Sequence, residues 1–154
     1  MRRRDFLQAF GSAAALGPLL AAGLLRPGAA LAVSINRAPF EARTAVDALR
    51  LIGAAGAETS GDILLKTPEL AENGAVVPIE VVSSIPGTTR LAVIIDRNPF
   101  PLTLQFSFAP EAVPRFQARV RMAESSRLRI VASAGGRHYT VFREVKVTLG
   151  GCGE

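Results

Sequence analysis

Residues 115–122, R-F-Q-A-R-V-R-M, alternate without exception. Phe116, Ala118, Val120 and Met122 fall on one side, and Arg115, Gln117, Arg119 and Arg121 on the other. A period of two is what a strand needs when one face is buried and the other wet. Leu128, Ile130 and Ala132, set beside Arg127 and Arg129, repeat the pattern. Further β-rich runs read at 62–67, 75–82, 90–95, 102–108, 127–133 and 138–149. Between them stand turn signals: Glu72-Asn73-Gly74, Pro86-Gly87, Asn98-Pro99 and Gly135-Gly136. Seven strand-like runs at this spacing predict an all-β fold, an immunoglobulin-like antiparallel β-sandwich.

Several details refine that expectation. Ala134-Gly135-Gly136 should close a hairpin between the last two runs. Pro78 lacks an N–H for a ladder, which places it on an edge or at a bulge. Arg143-Glu144 interrupts the apolar positions Val141 and Val145, suggesting a bulge or a strand that changes sheets. Ahead of the strands, E-A-R-T-A-V-D-A-L-R-L-I at 41–52 spaces Ala45, Val46, Leu49 and Ile52 as a short amphipathic helix, ending at Gly53 or Gly56. It could pack on the sandwich or on a partner.

The first 32 residues do not belong to this domain. A basic head, an apolar run from Ala9 to Leu25 and the small-residue end Ala30-Leu31-Ala32 form a secretory signal with cleavage after Ala32. The apolar run falls short of the roughly 20 residues a membrane span needs, and Gly11, Gly17, Pro18 and Gly23 dilute it, so no anchor is expected. Arg3 and Arg4, followed by Phe6 and Leu7, match a twin-arginine export address, which carries folded protein to the periplasm. The domain organisation is therefore a signal at 1–32, a β-sandwich domain with an N-terminal helix at 33–149 and a short tail at 150–154.

Removing the signal also changes the charge argument. The whole chain has a formal net charge of +5 and a pI near 10.6, but Arg2, Arg3, Arg4 and Arg26 sit in the signal with Asp5 as its sole acid. What remains is close to neutral, and with no tryptophan there is little to stack a base, so no nucleic-acid partner is expected. Arg115, Arg119, Arg121, Arg127 and Arg129 read either as an anion-binding face or as the solvated outer face of a hairpin, and the alternation favours the second.

Few groups are available for chemistry. His138 is the single histidine, so a multi-histidine metal centre cannot be built; it reads as a surface-loop residue at the mouth of the Gly135-Gly136 turn. No G-x-S-x-G, H-E-x-x-H, phosphate-loop or C-x-x-C motif occurs, so no catalytic residue and no metal ligand is assigned. Cys152, the single cysteine, is different. Flanked by Gly150, Gly151 and Gly153, it lies on a tether reaching about 10 Å past Leu149 at roughly 3.3–3.6 Å per residue. Glu154 and the terminal carboxylate beside it favour the protonated thiol, which suits a group that waits for a catalyst elsewhere. A terminal cysteine of this kind fits a covalent carrier, or a structural adaptor that forms an intermolecular disulfide.

Three segments carry a resemblance: P-E-L-A-E-N-G-A-V-V-P at 68–78, M-A-E-S-S at 122–126 and R-E-V-K-V-T-L-G-G-C-G at 143–153. Together with the export signal they resemble the SoxY family, sulfur-carrier subunits of the periplasmic Sox thiosulfate-oxidising system. The resemblance implies a non-enzymatic carrier with no bound cofactor, holding a sulfur or thiosulfonate adduct on Cys152, with Gly150, Gly151 and Gly153 as a flexible swinging arm. It further implies a heterodimer with a small β-sandwich subunit, SoxZ, co-exported on the carrier's signal. Transient partners would be a haem-containing thiosulfate-coupling enzyme and a manganese-dependent hydrolase that releases sulfate. The family tail usually ends in glycine where this chain has Glu154. The Arg row and Phe106-Ser107-Phe108 are the candidate partner surfaces.

Overall fold

Residues 115–120 of the alternating run form a strand with Val120 buried and Arg115, Gln117 and Arg119 exposed, and buried Met122 follows just past its end. In the computed structural model, which describes residues 36–149, nine strands build two sheets. They are β1 (Glu58–Thr59), β2 (Ile63–Lys66), β3 (Leu70–Asn73), β4 (Val77–Ser83), β5 (Thr88–Ile95), β6 (Leu102–Ser107), β7 (Arg115–Val120), β8 (Ser126–Ala134) and β9 (Arg137–Leu149). The larger sheet runs β1-β9-β8-β5-β6 with β3 also paired to β9, and the smaller runs β2-β4-β7. The expected two-sheet β-fold with a short N-terminal helix is what forms. The long pairings are antiparallel, whereas β1 and β3 add to β9 in parallel.

The core between the sheets follows the period of two. Val77, Ile79 and Val81 of β4, Leu91, Val93 and Ile95 of β5, and Leu128, Ile130 and Ala132 of β8 meet in one cluster with Val145. Each Val, Leu or Ile side chain among them contributes about 1.5–3 kcal/mol by leaving water. Strand β5 is buried along both faces, because Ala92 and Ile94 belong to a second cluster on the far side of the larger sheet. There the cover is helical: α1 (Ala38–Glu41) and α2 (Ala45–Leu51).

Seven residues are too few for a helix to stand alone. The Thr44 Oγ1 accepts the Asp47 N–H at 3.0 Å and caps the start of α2. Gly53, at φ 79°, ends it. Ala48 packs with Ala42, Ala54, Ile94, Leu102 and Val131, with Ala45, Leu49 and Ile52 beside them. Their small side chains allow close approach to the sheet. Val46, expected on this face, is 72% exposed. At 100° per residue it lies off the stripe that Ala45, Ala48, Leu49 and Ile52 define. The helix thus covers the chain's own larger sheet.

Other expectations are met or corrected by register. Gly135 and Gly136 take φ 57° and 76°, and the hairpin closes with Ala134 opposite Arg137. Pro78 sits in the central strand of the small sheet, yet β2 ends opposite Glu80, so the strand has an open edge at the proline. The expected bulge or change of sheet at Arg143-Glu144 is absent: β9 pairs with β8 unbroken from Val145 opposite Ser126 to Arg137 opposite Ala134 and stays within the larger sheet. Val141, Arg143 and Val145 share one parity, and Arg143 is exposed on it. The arginine row divides, because β7 and β8 belong to different sheets and form no hairpin. Arg127 pairs with Glu144 at 3.3 Å and Arg129 with Asp96 at 3.4 Å.

His138 is a strand residue of β9 rather than a loop residue. Its Nδ1 lies 3.0 Å from the Ser133 Oγ, half-buried. Nearby, Arg137 donates to Glu58 at 2.8 Å, which pins β1 to β9; the bond and charge of Glu58 hold the guanidinium above its ordinary pKa.

Candidate functional site: the root of the C-terminal arm

Strand β9 leads toward the cysteine in sequence, so what fixes its last residues determines where the glycine-flanked tail at 150–154 begins. From Arg137 to Val145 its neighbour is β8. Beyond Val145 the β8 side is taken over by one side chain: the Ser125 Oγ accepts the Val147 N–H at 2.9 Å and lies 3.4 Å from the Val147 carbonyl, to which it donates. On the other side stands β3, with Leu70 opposite Lys146, Ala71 opposite Val147 and Asn73 opposite Leu149. The Lys146 N–H donates to the Glu69 carbonyl at 2.8 Å, and the Thr148 Oγ1 donates to the Glu72 carbonyl at 2.9 Å.

Why β3 lies there follows from its flanks. Residues 67–76 leave the small sheet after β2 and return to it at β4. A 3₁₀ turn at Gly74–Val76 makes the return, with the Asn73 Oδ1 accepting the Ala75 N–H at 2.8 Å. The Gly74 carbonyl accepts the Met122 N–H at 2.7 Å, which ties the excursion to the chain just after β7. The Asn98 side chain secures the next stretch, donating to the Arg121 carbonyl at 2.7 Å and accepting the Ala123 N–H at 2.9 Å. The Ser126 Oγ accepts the Arg97 N–H at 3.0 Å. Three segments far apart in sequence, 68–78, 122–126 and 143–149, therefore meet at one end of the sandwich.

Beside this root lies a cleft of about 550 Å³, lined by Arg97, Arg127 and Lys146 and also by Asp96 and Glu144. Arg97 approaches Glu124 at 3.9 Å, and Arg127 is paired to Glu144. Opposed charges cancel over a few ångströms, so the cleft is no anion cradle. Among the described residues no three His, Cys, Asp or Glu side chains gather as metal ligands. No described helix is long and apolar enough to cross a membrane.

Cys152, Gly150, Gly151, Gly153 and Glu154 lie outside the described residues, as do Arg3, Arg4, Phe6 and Leu7. What sequence reasoning missed is the anchoring of the arm. It read Glu72-Asn73-Gly74 as a turn between strands, whereas Leu70–Asn73 is itself a strand. Ser125 carried no signal of its own beyond its place in M-A-E-S-S.

A family model described as "Sulfur oxidation protein SoxY" matches residues 48–152. Among solved structures, the sulfur carrier protein SoxY from Chlorobium limicola f thiosulfatophilum superposes with a TM-score of 0.63 at 38% identity, covering 70% of this chain and 95% of that one. A superoxide reductase (neelaredoxin) from Ignicoccus hospitalis gives a TM-score of 0.46 at 15% identity over 55% of this chain and 79% of that one. Comparison with the curated proteins returned no match. The family match spans all three segments that converge on the root and runs on to the cysteine beyond it, and the chain belongs to the SoxY family of sulfur oxidation proteins.

Proposed function

We propose that this chain is a covalent sulfur carrier of a periplasmic thiosulfate-oxidising system, with Cys152 as the attachment site. The observation that carries the reading is the construction of the arm's root. Val147 and Thr148 are held from both sides by Ser125 and β3, and the cysteine follows within four residues on a glycine-rich tether. A fixed root and a short tether present a thiol at a defined place while leaving it able to enter another protein. The solved relative is described as a sulfur carrier, which supports the same role.

Loading is an oxidation. The thiol and thiosulfate join through a new S–S bond to give the cysteine S-thiosulfonate, releasing one proton and two electrons, which the haem-containing coupling enzyme accepts. Hydrolysis by the manganese-dependent partner then breaks the S–S bond to the sulfonate group. Water supplies the fourth oxygen of sulfate, and a persulfide stays on Cys152. The carrier supplies no acid, base or metal to either step; its residues position the handle. Its stable partner is a SoxZ-type subunit, and the pair is exported folded through Arg3 and Arg4.

Intact-mass analysis of protein from cells grown on thiosulfate tests the proposal. Sulfur or thiosulfonate adducts on the Cys152 peptide, absent in Cys152→Ser, are expected. Only free thiol or a disulfide-linked dimer would overturn it and leave the adaptor role.

A further inference from the structure

Both sheets end on the same side of the sandwich in bare strands. β6 is the last strand of the larger sheet and β7 the last of the smaller. The Phe106 and Phe116 rings, 4.4 Å apart between centroids, bridge the two edges. The opposite side is treated differently, since β1 and β3 both cover β9. Exposed edges this long invite pairing, and proteins normally block them with prolines, bulges or inward charges. Neither β6 nor β7 carries a proline, and β7 pairs with β4 without a register shift.

The β7 edge is also chemically marked. Register and one hydrogen bond fix which of its amides are free. The Ser83 N–H donates to the Pro114 carbonyl at 2.9 Å, so in the antiparallel alternation Phe116, Ala118 and Val120 bond to β4. Gln117 and Arg119 then direct their N–H and C=O groups to the open side, while the Arg115 N–H is satisfied by the Val113 carbonyl at 2.8 Å. On the outer face of the strand, Arg115 and Arg119 form no ion pair among the described residues. Along the inner side lie half-buried Phe116 and Ala118, with Phe106, 36% exposed, against the Phe116 ring.

We infer that the free edge of β7 receives an extended strand from the carrier's protein partner, with carboxylates facing Arg115 and Arg119 and apolar side chains facing Phe106 and Phe116. A strand added there completes the unused ladder at Gln117 and Arg119, covers the aromatic pair and neutralises the arginines. β7 is preferred over β6 because the unpaired cations lie on it. The inference rests on the pairing with a SoxZ-type subunit proposed above.

The test uses the chain co-expressed with SoxZ. Gln117→Pro removes an N–H that the carrier's own sheet does not use, so the carrier keeps its thermal midpoint while affinity for SoxZ falls at least tenfold. Arg115→Glu with Arg119→Glu weakens the complex without touching the backbone, and the wild-type affinity falls with added salt. In wild type, hydrogen exchange at the Gln117 and Arg119 amides slows on complex formation. Unchanged exchange at both amides, or Gln117→Pro binding SoxZ as tightly as wild type, overturns the inference. Should Gln117→Pro unfold, the charge reversal and the exchange measurement still decide. Loss of the complex with adducts still forming on Cys152, or the reverse, separates this surface from the carrier role.

Discussion

Replacing Ser125 by alanine probes the anchoring of the arm directly. The Ser125 Oγ is the acceptor for the Val147 N–H at 2.9 Å, and no strand lies on that side of β9 beyond Val145 to replace it. A buried donor left without a partner costs about 1–3 kcal/mol. Ser125 and Val147 are only half-buried, so water recovers part of the loss and the lower figure applies, about 1 kcal/mol. That corresponds to about a fivefold change in an opening equilibrium, with about 1.4 kcal/mol per factor of ten. The expected result is roughly fivefold faster amide exchange at Val147, with Ile130 and Val131 in the centre of β8 affected no more than global stability requires. Ser126→Ala is the control. Its hydroxyl accepts the Arg97 N–H, donates to the Arg127 carbonyl and makes no hydrogen bond to Val147, so its loss lowers stability without singling out Val147. Hydrogen exchange read residue by residue, alongside a thermal melt, separates the two variants. If Val147 exchanges no faster in Ser125→Ala than in Ser126→Ala, then β3 alone holds the root and the two-sided account fails.

Ile94→Ala should cost about 2–4 kcal/mol by opening a cavity between the larger sheet and α2, a loss measurable by urea denaturation. If the proposed SoxZ-type partner is co-exported, Arg3→Lys with Arg4→Lys should leave both proteins in the cytoplasm, checked by fractionation; a partner that still reaches the periplasm contradicts co-export. Glu154→Gly should speed thiosulfate loading, because an anionic substrate then meets one negative charge fewer, and the gain should shrink at high salt; equal rates at low salt would show that Glu154 is neutral to loading.

The strands at 115–120, 126–134 and 137–149 were legible because each buries one face, and the alternation repeats that fact residue by residue. The same logic misled where apolar and charged positions stopped reporting burial. Arg143 lies on the inward parity of β9 yet is exposed, so a charge there was mistaken for a bulge. Val46 is apolar yet faces water. β3 was hidden because four residues, L-A-E-N, with only Ala71 buried, give no readable period.

By itself the sequence determined the β-sandwich, the hairpin at Gly135-Gly136 and the glycine-flanked cysteine, since each is written in neighbouring residues as a period, a backbone freedom or a composition. Only the tertiary structure decided that the arginines of β7 and β8 stand on different sheets, that α2 covers the carrier's own sheet, and that 68–78 and 122–126 clasp the end of β9. Those outcomes depend on contacts between residues distant in sequence, from the packing of Ala48 on Ile94 and Val131 to the hydrogen bond between Glu72 and Thr148, and no local pattern encodes a partner that distant.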